Sequence, residues 1–310
     1  MIMVGKVLVA LAWTFWLIAT GSVAEGTDNL TLAEYNPSYS STYDRVIKRG
    51  YIICGTNDEF PGFSQETFSN EQGQRWIGFD VDICRAVAAA VFGDADAIEF
   101  EIVNGKTRFE FLIDGSIDIL SATTTYTYTR NVAKKLEFMP TTYYDGQGFI
   151  VRKTLGVSSA KQMGGARICF SATGTAAQNI KDFFKKHNIT YIPVPVPPTE
   201  KTKNVYKRGE CDMYGTDRSG LASNRLSFDK PDRHMILPEI ISKEPLGMVV
   251  RYGDGKWSDI VRWTVYVLFI GEEMEINSRN IDRFSDNIDP NIQRFMGEMN
   301  GNDHPHLGAK

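Results

Sequence analysis

Beyond residue 41 the apolar positions change period several times, and each change marks an element. Residues 25–41, rich in Asn, Ser and Tyr, read as an irregular lead-in, with regular structure beginning near Thr42. Tyr51–Cys54 is a short apolar run suited to a buried strand. Gly78-Phe-Asp-Val then opens a helical pattern in which Phe79, Ile83, Ala86, Val87, Ala90 and Val91 recur at helical spacing. Ile98, Phe100 and Ile102 alternate with Glu99 and Glu101, as a half-buried strand does. A short helix from about Arg108 to Asp114 leads to a strand at Ile117–Leu120. Strands alternating with helices predict a mainly parallel sheet covered on both faces.

The same order returns later in the chain. Arg167–Phe170 reads as a strand, and the following helix places Ile180, Phe183, Phe184 and His187 on one face, His187 as a packing residue. Tyr191-Ile-Pro-Val is extended, and Gly209-Glu-Cys-Asp212-Met echoes Gly115-Ser-Ile-Asp118-Ile. The halves therefore read as two versions of one α/β module. Gln147–Lys153 and Leu246–Arg251 resemble strands that carry the chain between modules, so the second module is inserted into the first. The predicted lobes are residues 25–148 plus 250–310, and 149–249. Ligands of open α/β sheets sit outside the carboxyl ends of the strands, so two facing lobes on a two-strand hinge define a cleft that can close.

Residues 1–24 alter this picture at the N-terminus. Lys6, an apolar run from Val7 to Thr20 and the ending Ser22-Val-Ala24 form an export signal cleaved near Ala24. The run is shorter than the roughly 20 residues a spanning helix needs, which disfavours the rival reading as an anchor. Export gives the four cysteines a meaning, because thiols pair in an oxidising compartment. Of the three possible pairings, Cys54 with Cys84 and Cys169 with Cys211 is the one expected if each half folds separately; four reduced, buried thiols are the alternative.

The overall composition is that of a globular protein: 310 residues, 42% hydrophobic, 23% charged. A net charge of -4, with basic residues scattered, argues against nucleic acid or an acidic membrane surface as partner. No two cysteines form a close pair and His304 and His306 lie in a polar tail, so no metal site is expected.

Candidate chemistry concentrates at Ser121–Arg130, where five threonines stand just ahead of one arginine with no acid among them. A guanidinium matches a carboxylate with parallel donors, and hydroxyls and amides can fill the remaining lone pairs. A Thr-rich surface strand ended by a solvated Arg is the competing reading. A second polar cluster, Ser171-Ala-Thr-Gly-Thr175, and an acid at Asp217 occupy similar points of the second module.

Longer runs carry a family resemblance: Gly78–Asp94, Tyr143–Phe149, Leu237–Gly247, Trp257–Trp263 and Gly271-Glu-Glu-Met. On these the chain resembles the periplasmic amino-acid-binding proteins of bacterial ABC importers, nearest the general L-amino-acid-binding group. The resemblance implies the type II periplasmic binding protein fold, a Gram-negative periplasmic location, an L-amino acid ligand, membrane-embedded ABC permease subunits as partners, a monomer and no cofactor. Carried over residue by residue, it implies that Arg130 takes the ligand α-carboxylate with Thr125 and the Thr123 backbone beside it. Thr173, Gly174 and Thr175 then match the turn on the other lobe that donates to the same carboxylate. Asp217, five residues after Asp212, matches the acid that binds the ammonium, and Phe60 the aromatic stacked on the ligand. Tyr126, Ala122 and Asn131 depart from the usual wording and bear on the side-chain pocket.

Two other functions fit the same fold. One is a cyclohexadienyl-dehydratase-like enzyme, for which Asp58, Glu59 and Asp217 are the available acids. No Gly-rich nucleotide loop, HExxH or nucleophile elbow accompanies them. The other is a ligand-sensing module for a signalling receptor.

Overall fold

The computed structural model describes residues 41–69, 73–284 and 289–296. The export signal, the lead-in up to residue 40 and the histidines of the tail lie outside them. The elements in chain order are α1 (Thr42–Arg49), β1 (Ile52–Thr56), β2 (Glu59–Phe60), β3 (Ser64–Ser69), β4 (Gly73–Ile77), α2 (Phe79–Phe92), β5 (Ile98–Ile102) and α3 (Thr107–Asp114). They continue with β6 (Ile119–Leu120), β7 (Leu136–Phe138), β8 (Tyr143–Asp145), β9 (Gln147–Arg152), β10 (Arg167–Ser171), α4 (Ala176–Lys186), β11 (Ile192–Val196) and α5 (Thr202–Lys207). The last are β12 (Met213–Asp217), α6 (Arg218–Leu226), β13 (His234–Ile236), β14 (Glu244–Leu246), β15 (Val249–Arg251), α7 (Gly255–Glu273) and α8 (Pro290–Met296).

Two five-stranded sheets share one plan. Their orders are β5-β1-β6-β15-β7 and β11-β10-β12-β9-β13. In each, four strands run in one direction, as the alternation of elements suggests, and one, β15 or β9, is inserted against them between the third and the outermost, so both of its pairings are antiparallel. The reason is the exchange of strands: β9 and β15 each follow a crossing of the chain and enter their sheets from the opposite direction. The crossings themselves lie slightly earlier than the sequence indicates, at β8 and β14, which form a separate two-stranded antiparallel sheet. Gln147 and Gly148 already pair within the second sheet, and Val249 within the first.

The repeated Gly-x-x-Asp segments do the same work twice. Gly115 and Gly209 take left-handed φ values of 84° and 79°, which glycine adopts without steric cost. Three residues later, the Asp118 carboxylate accepts the Ile53 N–H at 2.8 Å, and Asp212 accepts the Arg167 N–H at 2.9 Å. Each acid thus ties its strand to the parallel neighbour beside it, β1 or β10, and is paired with arginine, Arg49 or Arg167.

Apolar cores cover both sheets. Trp257 of α7 is fully buried beside Cys54, Val87 and Ile119, and its Nε1–H donates to the Asp118 carbonyl at 3.0 Å. Burying a ring of that size is worth about 3–5 kcal/mol against alanine. In the second lobe Phe149, Ile180 and Phe184 fill the corresponding space, and His187 packs edge-on to Phe183 at 4.8 Å. Cys54 bonds Cys84 and Cys169 bonds Cys211, each bridge staying within its own lobe. Closing loops of 30 and 42 residues stabilises each lobe by about 3–4 kcal/mol in the chain-entropy view.

The buried stripe of α2 is Asp80, Val81, Ile83, Cys84, Val87 and Ala88, so Phe79 and Ala90 fall outside it. Phe79 instead packs edge-on to Phe63 and Tyr143. The antiparallel β2-β3-β4 sheet has no counterpart in the sequence pattern.

Candidate functional site

The lobes meet along a cleft whose floor is the β8/β14 pair. Contact is close: a Cβ placed on Gly105 would lie 2.0 Å from Thr173 Oγ1, so only a glycine lets the α3 loop approach the second lobe. Phe60 Cζ reaches the start of α6, 2.9 Å from where a Gly220 Cβ would be. Across the mouth Lys201 Nζ pairs with Asp58 Oδ2 at 3.0 Å. The structure is therefore that of lobes closed on one another.

Arg130 is 7% exposed, on a single π-helical turn spanning Thr129–Ala133. Its Nη1 donates to the Thr125 carbonyl at 2.6 Å, and its Nη2 lies 4.0 Å from the position of a Gly174 Cβ, so it faces the turn of the opposite lobe. Burial pulls its guanidinium below the usual arginine range, against the attraction of Glu244 and Asp217. The Thr123–Thr125 turn is fastened to the hinge: the Tyr126 N–H donates to the Pro245 carbonyl at 2.8 Å, and the Gly247 N–H to the Thr124 carbonyl at 3.1 Å. Thr123 donates its own N–H to Asp80 at 2.9 Å, so that donor is engaged within its own lobe.

On the second lobe Thr173 Oγ1 sits 3.2 Å from Ser171 Oγ, Gly174 has a left-handed φ of 110°, and Thr175 stands immediately before α4. The start of α4 thus points its amide ends at the region of Arg130, a favourable place for an anion. Asp217 ends β12 at the carboxyl edge of the sheet. Burial first, then the like charges of Glu244 and Asp145, pushes its carboxyl up to about 7 in spite of Arg108 and Arg130. Of the residues expected from the sequence, Arg130 is held by the Thr125 carbonyl, faces the turn between Thr173 and Thr175 and acts on Asp217, while Phe60 abuts Gly220, three residues beyond Asp217. Tyr126 stacks on Phe138 of its own lobe, with ring centroids 4.6 Å apart.

Two residues here escaped sequence reasoning. Arg108, on the first turn of α3, has its guanidinium above the Phe109 ring at 4.8 Å; Arg130 lies over the same ring at 5.3 Å. Its Nε is sealed from solvent with no hydrogen-bond partner. Burial, then repulsion by Arg130, lowers its pKa to about 9 against the pull of Asp217. Glu244 on β14 is 2% exposed and accepts from Thr175 Oγ1 at 3.2 Å, Asn179 Nδ2 at 2.7 Å and Ser242 Oγ at 2.6 Å. In sequence Arg108 only opens a short helix and Glu244 only falls within the Leu237–Gly247 run. Only the approach of separate segments gives either residue a role.

Chemically the cleft offers two guanidiniums on one lobe, an acid and a helix start on the other, and a hinge acid between them. It is suited to holding a small ligand of mixed charge. Among the described residues no group of three or more His, Cys, Asp or Glu could hold a metal ion, and no helix is long and apolar enough to cross a membrane.

Comparison with known proteins agrees with this geometry. Residues 52–265 match the family of bacterial extracellular solute-binding proteins, family 3. The chain is 46% identical over 258 residues to the general L-amino acid-binding periplasmic protein AapJ of Rhizobium johnstonii, covering 83% of this chain and 74% of that one. It is 44% identical over 259 residues to the glutamate/glutamine/aspartate/asparagine-binding protein BztA of Rhodobacter capsulatus, covering 83% and 75%. Among solved structures, an ABC transporter periplasmic binding protein from Brucella ovis with glutathione bound superposes with a TM-score of 0.80 at 41% identity, over 85% of this chain and 82% of that one. Two α/β lobes on a two-strand hinge, a cleft between them that gathers charges of both signs, and a family match across 52–265 lead to one assignment: this chain belongs to the bacterial extracellular solute-binding proteins of family 3.

Proposed function

We propose that the chain captures L-amino acids in the periplasm of a Gram-negative cell and delivers them, as a monomer without cofactor, to the membrane-embedded subunits of an ABC permease. In this reading residues 1–24 are removed after export. The two moving bodies are residues 25–148 with 250–310 and residues 149–249. Arg130 takes the α-carboxylate with Thr125 and the Thr173–Thr175 turn, Asp217 takes the ammonium, and Phe60 covers the ligand. The observation that carries the reading is the opposition of buried Arg130 and Asp217 across the cleft, because a zwitterion leaves water cheaply only where both its charges find partners. A ligand gripped by both lobes favours the closed form by its differential affinity, which makes closure a message a permease can read.

Arg108 narrows the ligand class. A second, half-buried cation whose sealed Nε has no partner suits amino acids whose side chain carries an additional carboxylate. The Rhodobacter relative's name joins glutamate and aspartate to their amides, and the glutathione of the Brucella structure is an α-amino acid at one end and a carboxylate at the other. Titration of ligand-free protein by calorimetry against glutamate, aspartate, glutamine, leucine, arginine and glutathione tests the reading. Binding at micromolar or tighter Kd, about 8 kcal/mol, is expected for the acidic members; no heat with any of them would sink it. The dehydratase reading gains no support from the relatives, whose names are those of binding proteins. Uptake of labelled amino acid by a deletion strain separates transport from sensing.

The raised carboxyl of Asp217 makes capture dependent on pH. A ligand ammonium favours the ionised form, so affinity is full above about pH 7 and weakens as pH falls through 7, by up to tenfold per unit. Without ligand the sign for stability is the reverse: the shift favours the fold below the ordinary pKa of 3.8 and that contribution is lost as pH rises to 7. Isothermal titrations between pH 5 and 8 read the first effect, and flat affinity across that range would exclude Asp217 as the ammonium partner.

A further inference from the structure

Asp80 lies outside the set of cleft residues, yet it is tied to their shape. It is the second residue of α2, 6% exposed, and its carboxylate does not cap its own helix. Oδ1 accepts from Ser121 Oγ at 3.0 Å and Oδ2 accepts the Thr123 N–H at 2.9 Å. Both partners belong to the segment that follows β6 and leads to Arg130. Thr123 has a φ of 44°, in the left-handed region that costs a non-glycine residue about 1–2 kcal/mol. That conformation needs an external hold, and the carboxylate supplies it, with Asn57 Nδ2 donating to Thr123 Oγ1 at 3.3 Å as a lesser support. The reversal at Thr123 brings the Thr125 carbonyl round to Arg130 Nη1 and the Thr124 carbonyl to the hinge.

The acid is kept there at a cost. Burial pushes its carboxyl up to about 6, more than the Thr123 amide and the Ser121 hydroxyl draw it down, and no charged side chain is among the groups acting on it. A buried acid spent on the shape of a turn is intelligible where the turn must be preorganised.

We propose that Asp80 is a positioning residue for ligand capture: by holding Ser121 and Thr123 it fixes the turn that aims Arg130 and Thr125 at the ligand carboxylate. This rests on the amino-acid reading above. It is tested by Asp80→Ala and Asp80→Asn, with affinity measured by calorimetry on ligand-free protein and folding by thermal melting. Folded Asp80→Ala is expected to bind glutamate about 10–100-fold more weakly, the loss of a charge-assisted bond plus the released turn. Asparagine keeps an acceptor for the Thr123 N–H and can donate to Ser121 Oγ, so Asp80→Asn is expected to stay within about threefold of wild type. A purely structural acid would lower melting temperature without this pattern of rescue. Full affinity in folded Asp80→Ala, or equal losses in the two folded variants, overturns the proposal. Should the alanine variant not fold, the Thr123 amide resonance decides: it is expected to shift as Asp80 titrates near pH 6 in the wild type and to stay fixed in Asp80→Asn. An amide indifferent to pH in the wild type is the overturning result. Wild-type protein that takes up no amino acid would instead overturn the functional reading, and would leave the Thr123 titration in place.

Discussion

Arg130→Met is expected to abolish amino-acid capture while the protein stays folded. The guanidinium is buried and faces the Gly174 turn, and in the proposed reading it is the cation that takes the ligand α-carboxylate. Removing one partner of a buried ion pair costs about 3–5 kcal/mol, chiefly because the remaining charge is stranded. At 1.4 kcal/mol per tenfold, a micromolar ligand falls to roughly the millimolar range or weaker. Every amino acid loses by a similar factor, since all share the α-carboxylate. The fold tolerates the change because the desolvated cation is itself costly, its pKa being held down by burial. Calorimetry for affinity and thermal melting for folding check both halves, and wild-type affinity in a folded variant would falsify the role given to Arg130.

Arg108→Met is expected to separate ligands that Arg130→Met treats alike. Acidic amino acids lose about 2–5 kcal/mol, the cost of leaving a buried charge unpaired. Glutamine, asparagine and leucine, which present no second carboxylate, bind as before or better once the sealed, unpartnered Nε is gone. A Lys in place of Arg108 restores charge without the planar fork and recovers only part of the loss. Competition of unlabelled amino acids against bound glutamate gives the rank order directly. A uniform loss across acidic and neutral ligands would make Arg108 a support of Arg130 and not a reader of side chains.

Much of the fold could be read before any coordinates, and particular residues explain why. The spacing of Ile83, Val87 and Val91 and the apolar run at Tyr51–Cys54 declare a helix and a strand because those periods are set locally by backbone geometry. The echo of Gly115-Ser-Ile-Asp118 in Gly209-Glu-Cys-Asp212 announced a repeated module, and both acids turn out to hold the parallel strand beside their own, β1 or β10. The mainly parallel direction of both sheets was legible, but the one reversed strand in each, β9 or β15, was not, because strand direction depends on where the chain re-enters a sheet, which no local period encodes. The hairpin of β2, β3 and β4 was missed because Gln, Glu, Thr and Arg dominate it, leaving no apolar alternation to detect.

The site divides in the same way. Arg130 was visible because its run of threonines is contiguous, and the Thr173–Thr175 turn and Asp217 because they stand at similar points of the second module; Phe60 was placed only by the family resemblance. Glu244, Arg108 and Asp80 gained their roles by approach from a distance: Glu244 to Thr175 and Asn179 over the hinge, Arg108 to Arg130, Asp80 to Thr123. The sequence by itself determined the two modules, their disulfides within each half, and the segments that bear the paired charges, because all of these follow from local period and order along the chain. Tertiary structure alone decided which charges face one another, which are sealed from water and which carboxyls are driven upward, because desolvation and Coulomb energy depend on distances that close only when remote segments fold together.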